Sequence, residues 1–277
     1  MATRIPGPSA RIITLLTDFG VDDPFVGVMK GAILSVNPAA KIVDLSHGIG
    51  PQDVVQAGYV LVSSYLCFPK GTIHVAVVDP GVGSERRIIG VELDGHTFLA
   101  PDNGLLELLL QDHPITRAVW INRAELFRQP VSATFHGRDI FAPVAGYLSL
   151  GTDLADVGPI ISDVFRGRVP SPTRTPYGLL QGEVICIDRF GNLITNIRAE
   201  DLATCIGKPD SAGCEVRAGE RVIVGIRRTY SDVPPGKALA VIGSIGRLEI
   251  AVHMGNAAQL TGCTRGSRVF VRTGGHA

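Results

Sequence analysis

The 277-residue sequence has no excess of charge of either sign. Its 26 basic and 26 acidic side chains cancel, so the composition favours neither a nucleic-acid backbone nor an anionic membrane surface as partner. It also lacks an apolar run near the ~20 residues that span a bilayer, because glycine, proline or charge interrupts every hydrophobic stretch. These absences predict a soluble protein with no nucleic-acid or membrane partner, whose ligand is a small molecule.

Cysteine is scarce, with five residues, an odd number, and no Cys-x-x-Cys pair. This pattern indicates neither a disulfide framework nor a zinc knuckle. The first ten residues lack the long apolar segment of a secretory signal. We therefore expect reduced thiols and a cytoplasmic location.

The first half of the chain alternates strand and helix patterns. Residues 11–20, "RIITLLTDFG", have the pattern of a buried strand ending in a polar turn, and residues 24–38 that of a helix between two prolines. The same pair recurs over residues 41–69, and a third apolar strand begins at residue 72. Such alternation predicts a Rossmann-like α/β domain over residues 11–165, with a parallel sheet that binds ligands at the carboxyl ends of its strands.

The second half has a different character. Residues 166–177 are rich in proline and contain little that could pack, which predicts a linker. Beyond them, short β-like segments are separated by glycines and polar turns. Residues 178–277 are therefore predicted to form a smaller all-β domain, either a barrel or a sandwich.

The segment "VVDPGVGSERR", residues 77–87, carries the first candidate site. It is not a dinucleotide-binding loop, because Arg86 replaces the third glycine of that motif and no long helix pattern follows. Asp79 and Arg86 are either a structural ion pair or a ligand site, and the glycines at a strand end favour the ligand site. His136 in "TFHGRDIFAP" is either an ordinary half-buried histidine or a third member of this set. Facing Asp79 and Arg86, it would help to hold and polarise a water molecule.

Two further polar turns follow predicted strands. Asp18 lies in "TDFG", whose last three residues are a tripeptide also found in kinases, but the other kinase motifs are missing. An aspartate at a strand end can instead accept both hydroxyls of a ribose. The turn "APDNG", residues 100–104, follows another strand, so the topology predicts that it lies near Asp18 and Asp79. The adjacent Asp22 and Asp23 are either a helix cap or a metal site.

The segment "IDRFGNLITNI", residues 187–197, has the pattern of a hairpin turn. Its Gly191-Asn192 pair could serve only to make the bend. The same turn also presents Asp188, Phe190 and Asn192, which suit an ammonium, an aromatic ring face and an adenine edge respectively.

Six motifs occur together and in order: "TLLTDFG", "VDPGVGSERR", "APDNGLL", "TFHGRDIFAP", "DRFGNLITNI" and "SIGRLEIAVHMGNAA". In this combination the chain resembles the S-adenosylmethionine hydroxide adenosyltransferase family, relatives of fluorinating and chlorinating enzymes, over residues 11–272. The resemblance implies attack of water or hydroxide on C5′ of S-adenosylmethionine, which gives adenosine and methionine without a metal or organic cofactor. It also implies a homotrimer with its sites at subunit interfaces.

The resemblance further assigns roles to residues of this chain. It implies that Asp79, Arg86 and His136 hold the water, that Asp18 binds the ribose hydroxyls and that Asp188 faces the methionine ammonium. The other implied contacts are Asn192, Asn256 and Ala257 on adenine, Ser244 on the methionine part, and Phe190 and Tyr230 as aromatic walls.

Two alternatives to a hydrolase stay open. One is a protein that senses or stores S-adenosylmethionine or adenosine with negligible turnover, and the other is a 5′-halogenase. Halogenating relatives carry hydroxyl side chains around the halide, whereas Val82 and Gly137 occupy those places here. Neither residue can donate a hydrogen bond from a hydroxyl, which counts against halide chemistry.

Overall fold

A computed structural model describes residues 11–206 and 213–273. The first ten residues, on which the prediction of a missing secretory signal depends, lie outside this range. The chain divides into two compact units between Arg168 and Val169. Among the described residues, no helix combines the length and the apolar character needed to cross a membrane.

The N-terminal unit is built on a six-stranded sheet in the order β2-β1-β3-β5-β4-β6. Its strands are β1 (Ile12–Thr17), β2 (Lys41–Ser46), β3 (Ile73–Val77), β4 (Ile88–Leu93), β5 (His96–Pro101) and β6 (Arg117–Trp120). Four neighbouring strands, β2, β1, β3 and β5, are parallel, as the sequence predicts.

The other edge of this sheet corrects the prediction of a purely parallel sheet. Strand β4 runs antiparallel to both β5 and β6. The cause is the turn between β4 and β5, in which Asp94 and Gly95 have φ of 49° and 79°. Two consecutive left-handed residues make a tight hairpin turn, which reverses the chain instead of allowing a crossover helix.

Helices cover both faces of the sheet, as in a Rossmann-like domain. They are α1 (Phe25–Val36), α2 (Val54–Ser64), α3 (Glu107–Asp112) and α4 (Ala142–Ser149), with a π-helix (Gly137–Phe141) directly before α4. Apolar side chains of α1 and α4, such as Ile33 and Val144, pack on one face. Those of α2 and α3, such as Leu61 and Leu109, pack on the other. The carboxyl ends of the parallel strands are left open between these layers.

The C-terminal unit is a nearly closed, barrel-like sheet of nine strands, which confirms the predicted smaller β domain and selects the barrel. They are β7 (Thr173–Arg174), β8 (Leu180–Ile187), β9 (Leu193–Arg198), β10 (Cys214–Ala218), β11 (Arg221–Val224), β12 (Ile226–Arg227), β13 (Ala238–Ile242), β14 (Arg247–Val252) and β15 (Arg268–Thr273). Two short helices, α5 (Ala199–Ile206) and α6 (Ala257–Thr261), accompany them. We propose that the predicted linker, residues 166–177, connects the two units, with Thr173–Arg174 inside it paired to β8 as β7.

Candidate active site

A cavity of about 390 Å³ lies in the N-terminal unit beside the ends of β1 and β3. Asp18 directly follows β1 and Asp79 follows β3 by two residues, and these strands are parallel neighbours. Their carboxyl ends therefore meet at one edge of the sheet, as the sequence analysis predicts. The cavity is lined by Asp18, Phe19, Phe25, Gln52, Val77, Asp79, Pro80, Val82, Thr134, Phe135, His136 and Gly137.

Asp79, Arg86 and His136 form one hydrogen-bonded set. Arg86 Nε lies 2.9 Å from Asp79 Oδ1 and 2.8 Å from Oδ2, and its Nη2 also donates to Oδ2. The same Nη2 lies 2.8 Å from His136 Nδ1. The side chains of Arg86 and Asp79 are only 11% and 5% exposed. The pair is thus shielded from water, and the guanidinium links the carboxylate to the imidazole.

This geometry determines the tautomer of His136. A guanidinium can only donate hydrogen bonds, so His136 Nδ1 must accept. The neutral ring then carries its proton on Nε2, which makes no hydrogen bond to a described residue. Burial lowers the pKa of His136, and the positive charge of Arg86 lowers it further. The cavity therefore presents a neutral imidazole with one N–H donor available to a ligand.

The loop between Asp79 and Arg86 depends on Gly83. This residue has φ of +78°, and a Cβ there would lie 2.3 Å from the carbonyl oxygen of Ala133. Only glycine combines the left-handed conformation with such a close approach. The loop thereby packs against the segment that carries His136, which brings Arg86 within reach of the imidazole.

Asp18 is held in the cavity by one backbone contact. Its Oδ2 accepts a hydrogen bond from Gln52 N at 2.8 Å. Gln52 has φ of 64°, an uncommon conformation for a residue other than glycine, at a position that lines the same cavity. Asp18 Oδ1 makes no hydrogen bond to a described residue, so the carboxylate retains capacity to accept from a ligand.

Three polar residues suggested by the sequence do not line this cavity. Asp22 and Asp23 are exposed, and the N-cap of α1 is Pro24, without a side-chain cap. The pair therefore does not cap α1, and residues 11–206 and 213–273 contain no group of three or more His, Cys, Asp or Glu side chains that could hold a metal ion. In the "APDNG" turn, Asn103 donates to Val78 O at 2.9 Å. The turn therefore lies near Asp79, as predicted, but it supports the strand end.

An aromatic wall on this cavity was missed by the sequence analysis. Phe19, Phe25 and Phe135 pack edge to face, with ring centroids 5.4 to 5.9 Å apart. Each of the three lines the cavity. Phe135 is distant in sequence from the other two, so no spacing pattern could have indicated that the rings meet.

A second cavity, of about 600 Å³, lies in the C-terminal unit. It is lined by Asp188, Phe190, Asn192, Tyr230, Val252, Met254 and Gly255. The structure thus brings together four of the C-terminal residues singled out from the sequence. Phe190 is 74% exposed and Met254 is 83% exposed.

The carboxylate of Asp188 shapes its own turn. Its Oδ1 accepts from Phe190 N and Asn192 N, both at 2.9 Å, and its Oδ2 accepts from Asn192 Nδ2 at 2.8 Å. No described lysine or arginine pairs with this carboxylate. Asp188 therefore carries an uncompensated negative charge at the cavity, which suits a cationic group of a ligand.

Glu249, which the sequence analysis did not single out, supports Tyr230. Tyr230 Oη donates to Glu249 Oε2 at 3.1 Å. Burial raises the pKa of Tyr230 to about 12, and the neighbouring Glu249 adds to the shift. Burial also raises the pKa of Glu249. The tyrosine consequently stays a neutral hydrogen-bond donor, and its ring is held at the cavity wall.

Asn256, Ala257 and Ser244 lie outside the lining of this cavity. The Asn256 side chain caps α6 by accepting from Gln259 N at 2.8 Å. A Cβ on Gly191 would lie 2.1 Å from Asn256 Cγ, so Asn256 packs directly under the turn that carries Asp188. Ala257 is completely buried, and Ser244 lies in the turn between β13 and β14. The structure gives Asn256 a supporting position and leaves the roles of Ala257 and Ser244 as predictions.

Both units of the chain match models of a known family. The model of the SAM hydroxide adenosyltransferase N-terminal domain matches residues 13–158, and that of the C-terminal domain matches residues 182–270. The chain belongs to the SAM hydroxide adenosyltransferase family. Its similarity to members of this family extends over nearly the whole chain.

Relatives in the family include two proteins named (R)-S-adenosyl-L-methionine hydrolase. The one from Thermus thermophilus is 39% identical over 94% of this chain and 98% of its own. The one from Methanocaldococcus jannaschii is 35% identical over 90% of this chain and 91% of its own. A fluorinase from Actinoplanes is 27% identical over 87% of each chain.

A solved structure related to this chain is that of an uncharacterized conserved protein from Thermotoga maritima. It is 35% identical, covers 94% of this chain and 99% of its own, and superposes with a TM-score of 0.85. The two-unit fold of this chain is therefore a known fold.

Proposed function

We propose that this protein hydrolyses S-adenosyl-L-methionine at C5′ to adenosine and L-methionine. The observation that carries the proposal is the cavity in which Asp18, Asp79 and His136 meet, with Arg86 bonded to the last two. Asp18 supplies a carboxylate oxygen for the ribose hydroxyls. The Asp79, Arg86 and His136 set supplies the place for a water nucleophile.

The hydrogen-bond pattern suggests which of these groups donates a hydrogen bond to the nucleophilic water and which accepts its proton. His136 Nδ1 is occupied by Arg86, so the neutral ring donates from Nε2 to the nucleophilic oxygen and has no lone pair left to act as a base. Asp79 is then the group that accepts the proton from water. Arg86 neutralises Asp79 and favours the hydroxide that forms.

The leaving group needs no acid. When the oxygen bonds to C5′ and the C5′–S bond breaks, the sulfonium leaves as neutral methionine thioether. The reaction of hydroxide with a sulfonium cation removes both charges, so a dry cavity favours the transition state over the separated ions. The wall formed by Phe19, Phe25 and Phe135 excludes water from that side of the cavity.

We further propose that the (R) sulfonium epimer is the substrate that this protein prefers. Four relatives at 35–39% identity carry (R)-S-adenosyl-L-methionine in their names. In these names the letter L gives the configuration of the methionine α-carbon, so the label (R) gives the configuration of the sulfonium sulfur. Initial rates on an epimeric mixture and on the purified (S) epimer test this preference. Faster consumption of the (S) epimer would contradict it.

We also infer that the C-terminal cavity binds the adenine and methionine parts and that the enzyme is a homotrimer with sites between subunits. Phe190 and Met254 line that cavity with most of their surface exposed. Exposed apolar side chains around a cavity are stable when another chain covers them. Asp188 provides the negative charge for the methionine ammonium.

Isotope labelling tests the reaction. Purified protein is incubated with S-adenosylmethionine in ¹⁸O-labelled water, with and without chloride, and the nucleosides are analysed by chromatography with mass detection. We expect adenosine that carries one ¹⁸O atom at its 5′ oxygen. Bound but unchanged substrate would favour a sensor, and a 5′-chloro nucleoside would favour a halogenase.

Mixing variants tests the subunit arrangement. Asp79→Ala inactivates the N-terminal half of the site, and Asp188→Asn weakens the C-terminal half. Co-refolded mixtures should regain activity, because some interfaces then combine two intact halves. Mixtures no more active than the mean of the two variants would place each whole site within one chain.

A further inference from the structure

Asp139 lies three residues after His136, within the π-helix Gly137–Phe141. Its side chain is completely buried, and it does not line the cavity. Single π-turns are uncommon and occur frequently at functional sites. The contacts of this buried carboxylate show which segments of the chain it holds together.

Four hydrogen bonds use all the acceptor capacity of this carboxylate. Oδ1 accepts from Arg138 Nε at 2.6 Å and from Arg128 Nη1 at 3.3 Å. Oδ2 accepts from Arg138 Nη2 at 2.8 Å and from Ser132 N at 2.8 Å. The Arg138 contact is the largest cause that lowers the pKa of Asp139 to about 2. The carboxylate is therefore ionised at every working pH.

The backbone of Asp139 closes the same loop. Arg128 N donates to Asp139 O at 2.8 Å, and Asp139 N donates to Phe135 O at 3.2 Å. Together with the hydrogen bond from Ser132 N, these contacts join Asp139 to the beginning, the middle and the end of residues 128–135. The loop is held by Asp139 and not by a regular strand or helix.

This loop carries one side of the active-site cavity. Thr134, Phe135, His136 and Gly137 all line it. The Arg138 guanidinium, held by Asp139, also lies over the Phe135 ring at 5.2 Å from its centroid. Asp139 therefore affects the position of the imidazole through the loop, and that of the aromatic wall through Arg138.

We propose that Asp139 is a positioning residue, which sets His136 against Arg86 by anchoring the loop of residues 128–135 directly before His136. The inference rests on the proposed function, because it concerns the same reaction. A buried ion pair is weak evidence for a gain in stability, since desolvation of the charges offsets their attraction. Its contribution is to specify one loop conformation, and a displacement of about 1 Å at a reacting group can cost roughly 10² in rate.

Asp139→Asn is the informative variant. Each carboxylate oxygen accepts from two donors, so the amide nitrogen meets two N–H groups in either orientation of the side chain. We expect kcat to fall roughly 10²-fold. Arg138→Gln, at a partly exposed position, removes two of the four contacts and serves if Asp139→Asn does not fold.

A double-mutant cycle separates positioning from general destabilisation. If Asp139 acts through His136, then Asp139→Asn should cost little further kcat in a His136→Ala background. Val157→Ala is the control, because Val157 is completely buried in the same unit and is not among the residues that line the cavity. It should lower the melting temperature and leave the kcat of the folded protein unchanged.

The outcomes are distinguishable. A strong effect of Asp139→Asn, or of Arg138→Gln, in the wild-type background that vanishes with His136→Ala supports the inference. An equal loss in both backgrounds, or no loss in the wild-type background, overturns the inference and leaves the hydrolase proposal intact. Wild-type protein that forms no adenosine overturns the proposed function and this inference with it.

Discussion

Arg86 Nη2 donates to His136 Nδ1 at 2.8 Å and joins residues fifty positions apart in the sequence. The contact decides which nitrogen of the imidazole faces the ligand, because the guanidinium cannot accept a hydrogen bond. It also separates two roles that the residue types alone leave open. His136 becomes the donor that holds the nucleophile, and Asp79 becomes the base.

His136→Gln and His136→Ala should therefore behave differently. Glutamine can accept from Arg86 with Oε1 and donate with Nε2, as the neutral imidazole does. We expect His136→Gln to keep kcat within about tenfold of the wild type and His136→Ala to lose roughly 10² or more. Equal losses in adenosine formation by the two variants would contradict the donor role given to His136.

The pH profile gives an independent measure of the same contact. Protonated His136 would place an Nδ1–H against Arg86, so activity should fall as pH decreases through the pKa of His136. Burial and Arg86 lower this pKa below 6.5, whereas Asp79 and Asp139 oppose the shift. The part of the acid limb of kcat/KM that is due to His136 should thus lie below pH 6.5, and this part should be missing from His136→Gln.

Asp79→Asn should make activity depend on the concentration of hydroxide. The amide cannot take a proton, so we expect kcat to fall by ~10² to 10⁴ near neutral pH. Because bulk hydroxide can replace the missing base, the activity of Asp79→Asn should climb as pH rises. A flat profile for this variant, measured by release of adenosine, would argue against Asp79 as proton acceptor.

Asp188→Asn removes a charge without dismantling the turn. The amide oxygen can still accept from Phe190 N and Asn192 N, and the Asn192 side chain can turn to present its oxygen to the new amide. Loss of a charge-assisted hydrogen bond costs about 2 kcal/mol, or roughly 30-fold in affinity. We expect KM to rise by this factor with kcat little changed. A fall in kcat at constant KM would place Asp188 in the chemical step.

Gly83 and Gly71 form a matched pair for the loop at Asp79. Both have positive φ, +78° and +85°, but a Cβ on Gly83 meets Ala133 O at 2.3 Å, whereas a Cβ on Gly71 meets nothing within 4 Å. Gly71→Ala should cost only the left-handed strain of about 1 kcal/mol and leave kcat unchanged. Gly83→Ala should also separate Arg86 from His136 and lower kcat by more than tenfold. Similar kinetics for the two variants would contradict the role given to Gly83.

His74 should make the folded state sensitive to acid. Its ring is completely buried, with Nδ1 2.8 Å from Thr14 Oγ1. Burial, with a smaller contribution from His96, lowers its pKa from 6.5 to about 3. Between these pH values the unfolded chain binds a proton at His74 that the folded chain does not bind. The contribution of neutral His74 to the free energy of unfolding is therefore fully present above pH 6.5 and is lost as the pH falls toward about 3.

Urea unfolding at several pH values measures this effect. His74 alone contributes a limiting slope of about 1.4 kcal/mol per pH unit in that range. His74→Gln should flatten the slope, and its stability above neutral pH gives the cost of the substitution itself. An unchanged slope would mean that other groups govern acid unfolding.

The sequence by itself determined the alternation of strands and helices, the change to β structure beyond residue 178, and the turns that carry Asp18, Asp79 and Asp188. These features follow from local rules, because hydrophobic period, proline and glycine act within a few residues of where they stand. The antiparallel direction of β4 was not predicted, because it depends on a two-residue turn whose effect on the sheet is not local.

Only the tertiary structure decided how these turns become a site. The Arg86 to His136 contact, the meeting of Phe19 with Phe135, and the burial of Asp139 each join segments whose approach depends on the packing of the whole unit. The Arg86 to His136 contact determines the tautomer of His136. The buried Asp139 holds the loop that precedes His136 in one conformation. Side-chain geometry of this kind arises when the core closes, since a residue's chemistry is set by the neighbours that folding supplies.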